Sequence, residues 1–221
     1  MRPSKLDHSP WRNARWLVIA PHPDDETLGT GALIYDTAAR QKLAGIAFLT
    51  DGDGSHPQGT QGLRSVRRRE ARNAVGLLCA RFAPIAWLGW QDSTPPVAGS
   101  GPFVRTAMQI AAIIRNRRVD ALAVSDPGDG HSDHIAAFNL ACDARTRSRR
   151  KLQIFTYSVW NAASCRGTRF CTLPMPMGLR RRALRAHRSQ LFARMGPGFR
   201  LPSKMSRMPA TDQLIALEWP R

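Results

Sequence analysis

The chain has 221 residues, 43% of them hydrophobic, which is enough for one folded domain with a buried core. Its 33 Lys and Arg outnumber 16 Asp and Glu, a formal net charge of +17 that attracts polyanions, anionic lipid surfaces or phosphorylated small molecules. No apolar run is long enough to cross a bilayer, and the polar, basic N-terminal segment is not typical of a signal peptide. Four cysteines without a CxxC pair argue against a disulfide framework, so we expect a cytoplasmic protein.

Short apolar runs alternate with longer segments of helical period, which predicts an α/β protein with a mostly parallel sheet. The predicted strands are 15–20, 44–50, 84–89, 120–125 and 153–160. The predicted helices are 27–42, 62–80, 103–117, 134–147 and 178–194. We expect a Rossmann-like three-layer sandwich, with helices on both faces of the sheet. The expected domain is a single one over 1–221, with a core at about 14–194 and an irregular C-terminal tail at 195–221.

Polar segments follow the first four predicted strands directly. They are PHPDDE (21–26), DGDGS (51–55), WQDS (90–93) and DPGDGHSDH (126–134). Parallel α/β sheets bind ligands outside the carboxyl ends of their strands, and alternation of strand and helix places all four segments at that edge. We therefore expect distant parts of the chain to share one cavity.

Two of these segments concentrate groups that ligate metals. The first offers His22, Asp24, Asp25 and Glu26. The second offers Asp126, Asp129, His131, Asp133 and His134. Two histidines and one carboxylate would form a site of the kind found in hydrolytic zinc centres, and Fe²⁺ or Mn²⁺ fits the same donors. A single histidine of this set, taken alone, is more often a surface or hydrogen-bonding group; the joint pattern favours a metal site.

The same residues carry a resemblance to a known family. The string APHPDDETLGTGALI (20–34) resembles the signature of the PIG-L (LmbE-like) family of zinc-dependent deacetylases, which act on N-acetylglucosaminyl compounds. HSDH (131–134) resembles the family's HxDH motif and follows the fourth strand, as the family places it. Further matches are RRRE (67–70), GWQDS (89–93), YSVW (157–160) and AHRSQ (186–190).

The resemblance implies a zinc site formed by His22, Asp25 and His134, with Asp24 as the general base. A carboxylate beside a metal-activated water can take its proton during attack on the acetyl carbonyl.

We expect His131 to act on the tetrahedral intermediate. It would either stabilise the oxyanion as an imidazolium or protonate the departing amine. Asp133 would orient His131, or alternatively cap the helix that begins near His134. Glu26 is either a partner of a ligating histidine or an acidic residue favoured by the helix dipole.

The resemblance also implies that Arg67 and Asp92 contact the substrate. The alternatives are an ion pair on the helix surface for Arg67 and a turn position for Asp92. Asp129 departs from the family branch that acts on mycothiol precursors, which has tyrosine at this position.

The sequence thus predicts a zinc-dependent N-deacetylase of a GlcNAc-type substrate that is anionic, phosphorylated or nucleotide-linked. One alternative keeps the mechanism and hydrolyses the amide of a thiol-sugar conjugate or a glycosylated natural product. Another is a non-catalytic polyanion-binding protein, suggested by arginine clusters at 64–72, 145–151 and 180–188. Nucleic acid is disfavoured as a partner because these clusters lack interleaved aromatic residues. The sequence leaves open whether the chain forms a homo-oligomer.

Overall fold

The structure is a computed structural model that describes residues 3–57, 60–80, 82–203, 205 and 208–218. Its strands are Ser4–Lys5 (β1), Trp16–Ala20 (β2), Leu43–Thr50 (β3), Ile85–Trp90 (β4), Ala121–Ser125 (β5), Gln153–Tyr157 (β6), Gly167–Cys171 (β7) and Gln213–Leu217 (β8). Its α-helices are Asp25–Ala39 (α1), Leu63–Cys79 (α2), Gly101–Asn116 (α3), Ser132–Ser148 (α4), Leu179–Leu184 (α5) and Arg188–Leu191 (α6). These elements confirm the predicted α/β class.

The strands form one sheet in the order β1-β7-β8-β6-β5-β2-β3-β4. Pairing is parallel throughout except at β8, which runs antiparallel to both β6 and β7. The chain proceeds from β2 outward to β3 and β4, and then returns to place β5 on the other side of β2. This reversal between β2 and β5 opens a crevice at the carboxyl ends of the two strands, where open α/β sheets bind ligands.

The sheet is covered on both faces, which explains why its central strands are apolar without alternation. All five residues of β2 are buried. Leu17 and Ile19 pack with α3 and α4, whereas Trp16 and Val18 pack with α1, α2 and α5. The result is the predicted three-layer sandwich, with a core on each side of the sheet.

Two of the predicted elements end differently in the structure. The strand expected over 153–160 stops at Tyr157, because the following amides turn away to donate hydrogen bonds to Asp129. The helix expected over 178–194 is divided into α5 and α6 around His187. This break lets the backbone amide and hydroxyl of Ser189 donate to the buried carboxylate of Glu70 on α2.

We expected the C-terminal tail, 195–221, to be irregular, and this prediction is wrong for Gln213–Leu217. β8 lies there and inserts between β6 and β7, with Leu214 and Ile215 buried.

Helix α1 carries a kink at Thr30, where φ is −134°. A buried ion pair, Arg180 with Asp212, fills the break. Nη1 of Arg180 donates to the carbonyl oxygens of Thr27 and Leu28, each at 2.8 Å. Oδ2 of Asp212 accepts from the backbone amide of Leu33 at 2.7 Å. Backbone groups that lose their partners at the kink are therefore satisfied by this pair.

No helix in the described part of the chain has the length and apolar character of a membrane span.

Candidate active site

The first site segment, residues 21–26, connects β2 to α1 through a strained residue. Asp24 precedes the helix with φ of 128° and ψ of −29°, a conformation that costs a residue with a Cβ about 1–3 kcal/mol. Its backbone amide donates to Oε2 of Glu26 at 2.8 Å, which supports the turn. Such strain concentrates at functional sites, because the surrounding structure must hold the residue in place.

Three of the predicted residues meet at the β2–β5 crevice. Nδ1 of His22 lies 3.2 Å, and Nε2 of His134 3.3 Å, from Oδ2 of Asp25. These three side chains form one of two groups in the described residues whose donor atoms could share a metal ion. The second group also uses His22, together with His131 and Asp133.

The chemistry of the first group fits a divalent metal. Nε2 of His134 and Oδ1 of Asp25 are buried and have no hydrogen-bond partner among the described residues. Nδ1 of His134 is 3.0 Å from Oδ2 of Asp129, an outer carboxylate of the kind that fixes a ligating imidazole with its other nitrogen free. The side chains supply two imidazoles and one carboxylate, as zinc prefers in hydrolytic sites.

The electrostatics of these groups point the same way. Burial alone would lower the pKa of His134, but Asp25 and Asp129 outweigh it and raise the pKa to about 9. Burial would raise the pKa of Asp25, but His134 and His22 hold it well below its usual range. The carboxylates thus create a potential that favours positive charge on the imidazoles, and a metal cation can supply that charge in place of protons.

Asp24 lines the same cavity and contacts Arg67 of α2. Burial raises the pKa of Asp24 to about 7, against the opposing effect of the Arg67 guanidinium. Nη2 of Arg67 lies 3.2 Å from Oδ2 of Asp24 and also donates to the carbonyl oxygen of Pro23. Nη1 donates to the carbonyl oxygen of Gly52, where any Cβ would lie 2.1 Å from that nitrogen. Arg67, expected at the substrate, therefore also holds Asp24.

His131 is the N-cap residue of α4. Its Nδ1 accepts the backbone amide of Asp133 at 3.2 Å, so the proton of the neutral ring is on Nε2. Burial and the neighbouring His22 lower the pKa of His131, which favours the neutral ring. The side chain lies at the cavity wall and is partly exposed, so its Nε2–H group is placed to donate to a ligand.

Asp133 contacts different partners from those expected. Its Oδ2 is 4.0 Å from Nδ1 of His131, too far for a hydrogen bond, but 2.9 Å from Nε2 of His22. The same oxygen accepts the backbone amide of Ser93 at 2.9 Å. Asp133 is also not the helix cap, because His131 occupies that position. It therefore orients His22, while the ring of His131 folds over the start of α4.

Asp92 joins the site from the loop after β4. Oδ1 lies 2.9 Å from Nε2 of His22, and Oδ2 accepts the backbone amide of Gly54 at 2.8 Å. Burial would raise the pKa of Asp92, but His22 holds it at about 2. Asp92 thus links His22 to the loop after β3, and it also lines the cavity.

A cavity of about 400 Å³ opens over these groups and is large enough for a sugar-sized ligand. Of the three predicted catalytic residues, Asp24 and His131 lie in the polar wall of the cavity, whereas Asp133 does not line it. Trp160 and Phe199 form an apolar wall. The two rings meet edge to face at 5.8 Å between centroids. Phe199 comes from the predicted tail, and its backbone amide donates to the carbonyl oxygen of Ser55 at 2.7 Å.

The sequence indicated Asp129 and Glu26 as acidic candidates but did not predict the contacts that they make. Asp129 holds His134 and accepts the backbone amides of Val159 and Trp160, which ties the metal group to the cavity wall. Its position in PGDGH, between a strand and the HSDH motif, was the available signal. Glu26 lies 3.3 Å from Nε2 of the fully buried His187, although His187 is not in the metal group.

Fold and site together define an α/β protein with a potential His₂Asp metal centre at the sheet's switch point. Residues 17–145 match the family described as PIG-L, GlcNAc-PI de-N-acetylase, and the chain belongs to this family.

Curated relatives carry related names. A "1D-myo-inositol 2-acetamido-2-deoxy-alpha-D-glucopyranoside deacetylase 3" of Catenulispora acidiphila is 30% identical over 160 residues, which cover 61% of this chain and 45% of that protein. A deacetylase of the same name, without the number, from Mycolicibacterium vanbaalenii is 29% identical over 173 residues, covering 68% of this chain and 61% of that protein. The chain thus spans about half of the length of the relatives it matches.

Among solved structures, the N,N'-diacetylchitobiose deacetylase from Pyrococcus horikoshii superposes with a TM-score of 0.69 and 19% identity. The match covers 95% of this chain and 86% of that one. At this level of identity the match confirms the fold.

Proposed function

We propose that the protein is a metal-dependent N-deacetylase that hydrolyses the acetamide of a GlcNAc-containing substrate. The observation that supports it most directly is that His22, Asp25 and the buried His134 converge next to a cavity that His22, Asp24 and Asp25 line. Membership of the PIG-L family and the names of the curated relatives point to the same reaction.

His22, Asp25 and His134 would hold the ion, with zinc as the first expectation and Fe²⁺ or Mn²⁺ as alternatives. When bound, the ion supplies a Lewis acid that polarises the acetyl carbonyl and makes water more acidic. Asp24, with its pKa raised by burial to about 7, can take a proton from the attacking water near neutral pH. Arg67 fixes the direction of the Asp24 carboxylate.

His131 acts on the tetrahedral intermediate, where its Nε2–H can donate a hydrogen bond to the oxyanion. The proton that Asp24 took from the attacking water can then pass to the departing amine, which returns Asp24 to its carboxylate form. Asp92 and the aromatic wall of Trp160 and Phe199 would position the sugar ring. An anionic group on the substrate agrees with the net charge of +17.

Acetate release from a panel of N-acetylated amino sugars, free and phosphate- or nucleotide-linked, tests this function in zinc-loaded protein. The variant Asp24→Asn should keep its bound metal and lose about 10²–10⁴-fold in turnover, because the base is removed while the ligands remain. The variant His134→Ala should lose metal and activity together. Loss of metal from Asp24→Asn, or hydrolysis by a fully metallated His134→Ala, would contradict these roles.

A further inference from the structure

Charge is distributed very unevenly along the chain. No Asp or Glu stands between Asp143 and Asp212, while nearly half of the 33 Lys and Arg residues do. A segment of one sign produces a field that neighbouring side chains of the same segment cannot cancel. Any acidic partners of these basic side chains must therefore come from other parts of the chain that lie near them in the fold.

The three arginine clusters differ in how far the fold neutralises them. In the first, Arg64 and Arg68 form ion pairs with Asp51. In the second, Arg147 and Arg150 lie within 4 Å of Asp143 and Asp120, at 2.6 Å and 3.5 Å.

The first two clusters also contain exposed arginines with no ion pair among the described residues, such as Arg69 and Arg149, but the third contains more of them. Arg181, Arg182, Arg185 and Arg188 are exposed on the outer side of α5 and α6, and none forms an ion pair within the described part of the chain. The acid of α2 that reaches these helices, Glu70, is buried and already bonded to Ser189. We call these four arginines the α5–α6 basic face.

Apolar side chains stand exposed beside the α5–α6 basic face. Met177, two residues before α5, is 100% exposed, and Leu173 is 42% exposed. A groove of about 470 Å³ lies next to them, lined mostly by prolines and methionines and reaching Arg181. Phe192, directly after α6, is 52% exposed. Unpaired arginines together with protruding apolar side chains form an amphipathic surface.

We propose that the α5–α6 basic face docks the protein on an anionic lipid bilayer. Arginines near such a surface each contribute on the order of 1 kcal/mol, and apolar side chains that enter the headgroup region add to the binding. Met177 and Leu173 suit the acyl region of a bilayer, and the single ring of Phe192 is a small platform for stacking nucleobases.

Co-sedimentation with vesicles tests the proposal without any assay of hydrolysis. Vesicles of equal parts phosphatidylcholine and phosphatidylserine should bind the wild-type protein at low salt, and pure phosphatidylcholine should not. The double variant Arg181→Gln, Arg185→Gln should weaken binding about 30-fold, from a factor of about five for each arginine. Added salt should weaken it further.

The matched control is Arg105→Gln with Arg115→Gln. These two arginines are exposed on α3, on the opposite face of the sheet, and their removal changes the net charge equally. Equal loss of binding in both double variants would mean that vesicle binding depends only on net charge. That result would overturn the proposal that the α5–α6 basic face is the docking surface. Met177→Ser should weaken vesicle binding without changing the charge.

A competition experiment covers the other class of partner. Duplex DNA that binds more tightly than the vesicles, through the same arginines, would replace the lipid assignment with a nucleic-acid one. Retained binding in the Arg181→Gln, Arg185→Gln variant would also overturn the proposal. All of these side chains are exposed, so circular dichroism and urea unfolding should show the wild-type fold in each variant.

Discussion

The strained backbone of Asp24 is related to the contacts of its side chain. With φ of 128° at Asp24, the carboxylate of Asp25 contacts the imidazole of His134 and that of Asp24 contacts Arg67. Burial and the charge of Asp25 raise the pKa of Asp24, and Arg67 opposes them. The strain is thus associated with the division of labour between a ligand and a base.

The contribution of this strain can be measured by comparing Asp24→Gly with Asp24→Ala. Both variants lose the carboxylate, but only glycine accepts the positive φ without steric cost. Asp24→Gly should therefore be more stable than Asp24→Ala by about 1–2 kcal/mol in urea unfolding, while both lack turnover. Equal stability of the two variants would mean that the backbone here is not strained.

Asp129 should control metal affinity without binding the ion itself. Asp129→Asn removes the carboxylate that contacts Nδ1 of His134, and the loss of such an outer partner typically weakens metal binding about 10–100-fold. The control is Asp126→Asn, in the same loop, where the carboxylate bonds Ser164 and Thr156 instead. Competition with a chromophoric chelator measures both affinities, and a similar loss in Asp126→Asn would contradict the specific role of Asp129.

For individual residues, the sequence predicted which side chains come together better than it predicted the contacts that each one makes. The motifs at 21–26 and 131–134 carry donors whose type and strand-end position predict a shared metal group, and the structure brings them together. The partner of Asp133 could not be predicted, because it depends on the ring of His131 capping α4 and on the amide of Ser93 across the crevice. Such contacts are fixed by packing between separate loops.

At the scale of elements, the kink in α1 links the start of that helix to the last strand. Asp25 and Glu26 begin α1, and the Arg180–Asp212 pair fills the break a turn later. Burial raises the pKa of Asp212, although Arg180 acts against it. The pair thus has a desolvation cost, which its hydrogen bonds to the backbone of Thr27, Leu28 and Leu33 help to offset.

Removing one member of this pair should be costly. Asp212→Asn leaves the Arg180 guanidinium buried without a counter-charge and should lower the free energy of unfolding by about 3–5 kcal/mol. The matched control, Asp143→Asn, breaks the exposed i,i+4 pair with Arg147 and should cost about 0.5 kcal/mol or less. Urea unfolding measures both, and similar losses would mean that the buried pair is not a specific support of α1.

The sequence predicted the central elements and missed the peripheral ones for a physical reason. The central strands, such as β2 and β5, are buried on both faces, and their continuous apolar runs are readable locally. β7 buries only Phe170, so it carries no continuous apolar run. β8 is buried because it lies between β6 and β7, and its short run in the tail carries no sign of that position.

For the whole molecule, metal binding and folding should be coupled. The ligands come from the ends of β2 and β5 and meet only in the folded chain, so an ion bound there stabilises the fold. At a free zinc concentration of 100 times the dissociation constant, the free energy of unfolding should rise by about 2.7 kcal/mol. Urea unfolding with zinc and with chelator measures the shift.

The His134→Ala variant is the control for this coupling. It should unfold at the same denaturant concentration with and without zinc. A zinc-dependent shift of equal size in His134→Ala would locate the stabilising ion elsewhere.

The position of β8 has a consequence for the order in which the protein can assemble during synthesis. The part of the sheet that bears the crevice, from β6 to β4, is complete in sequence once residue 157 has left the ribosome. β7 and β1 must wait, since β8, which joins them to β6, follows all of these strands in the chain. Until β8 has emerged, the nascent chain exposes an unpaired strand edge at β6, to which another chain can add a strand.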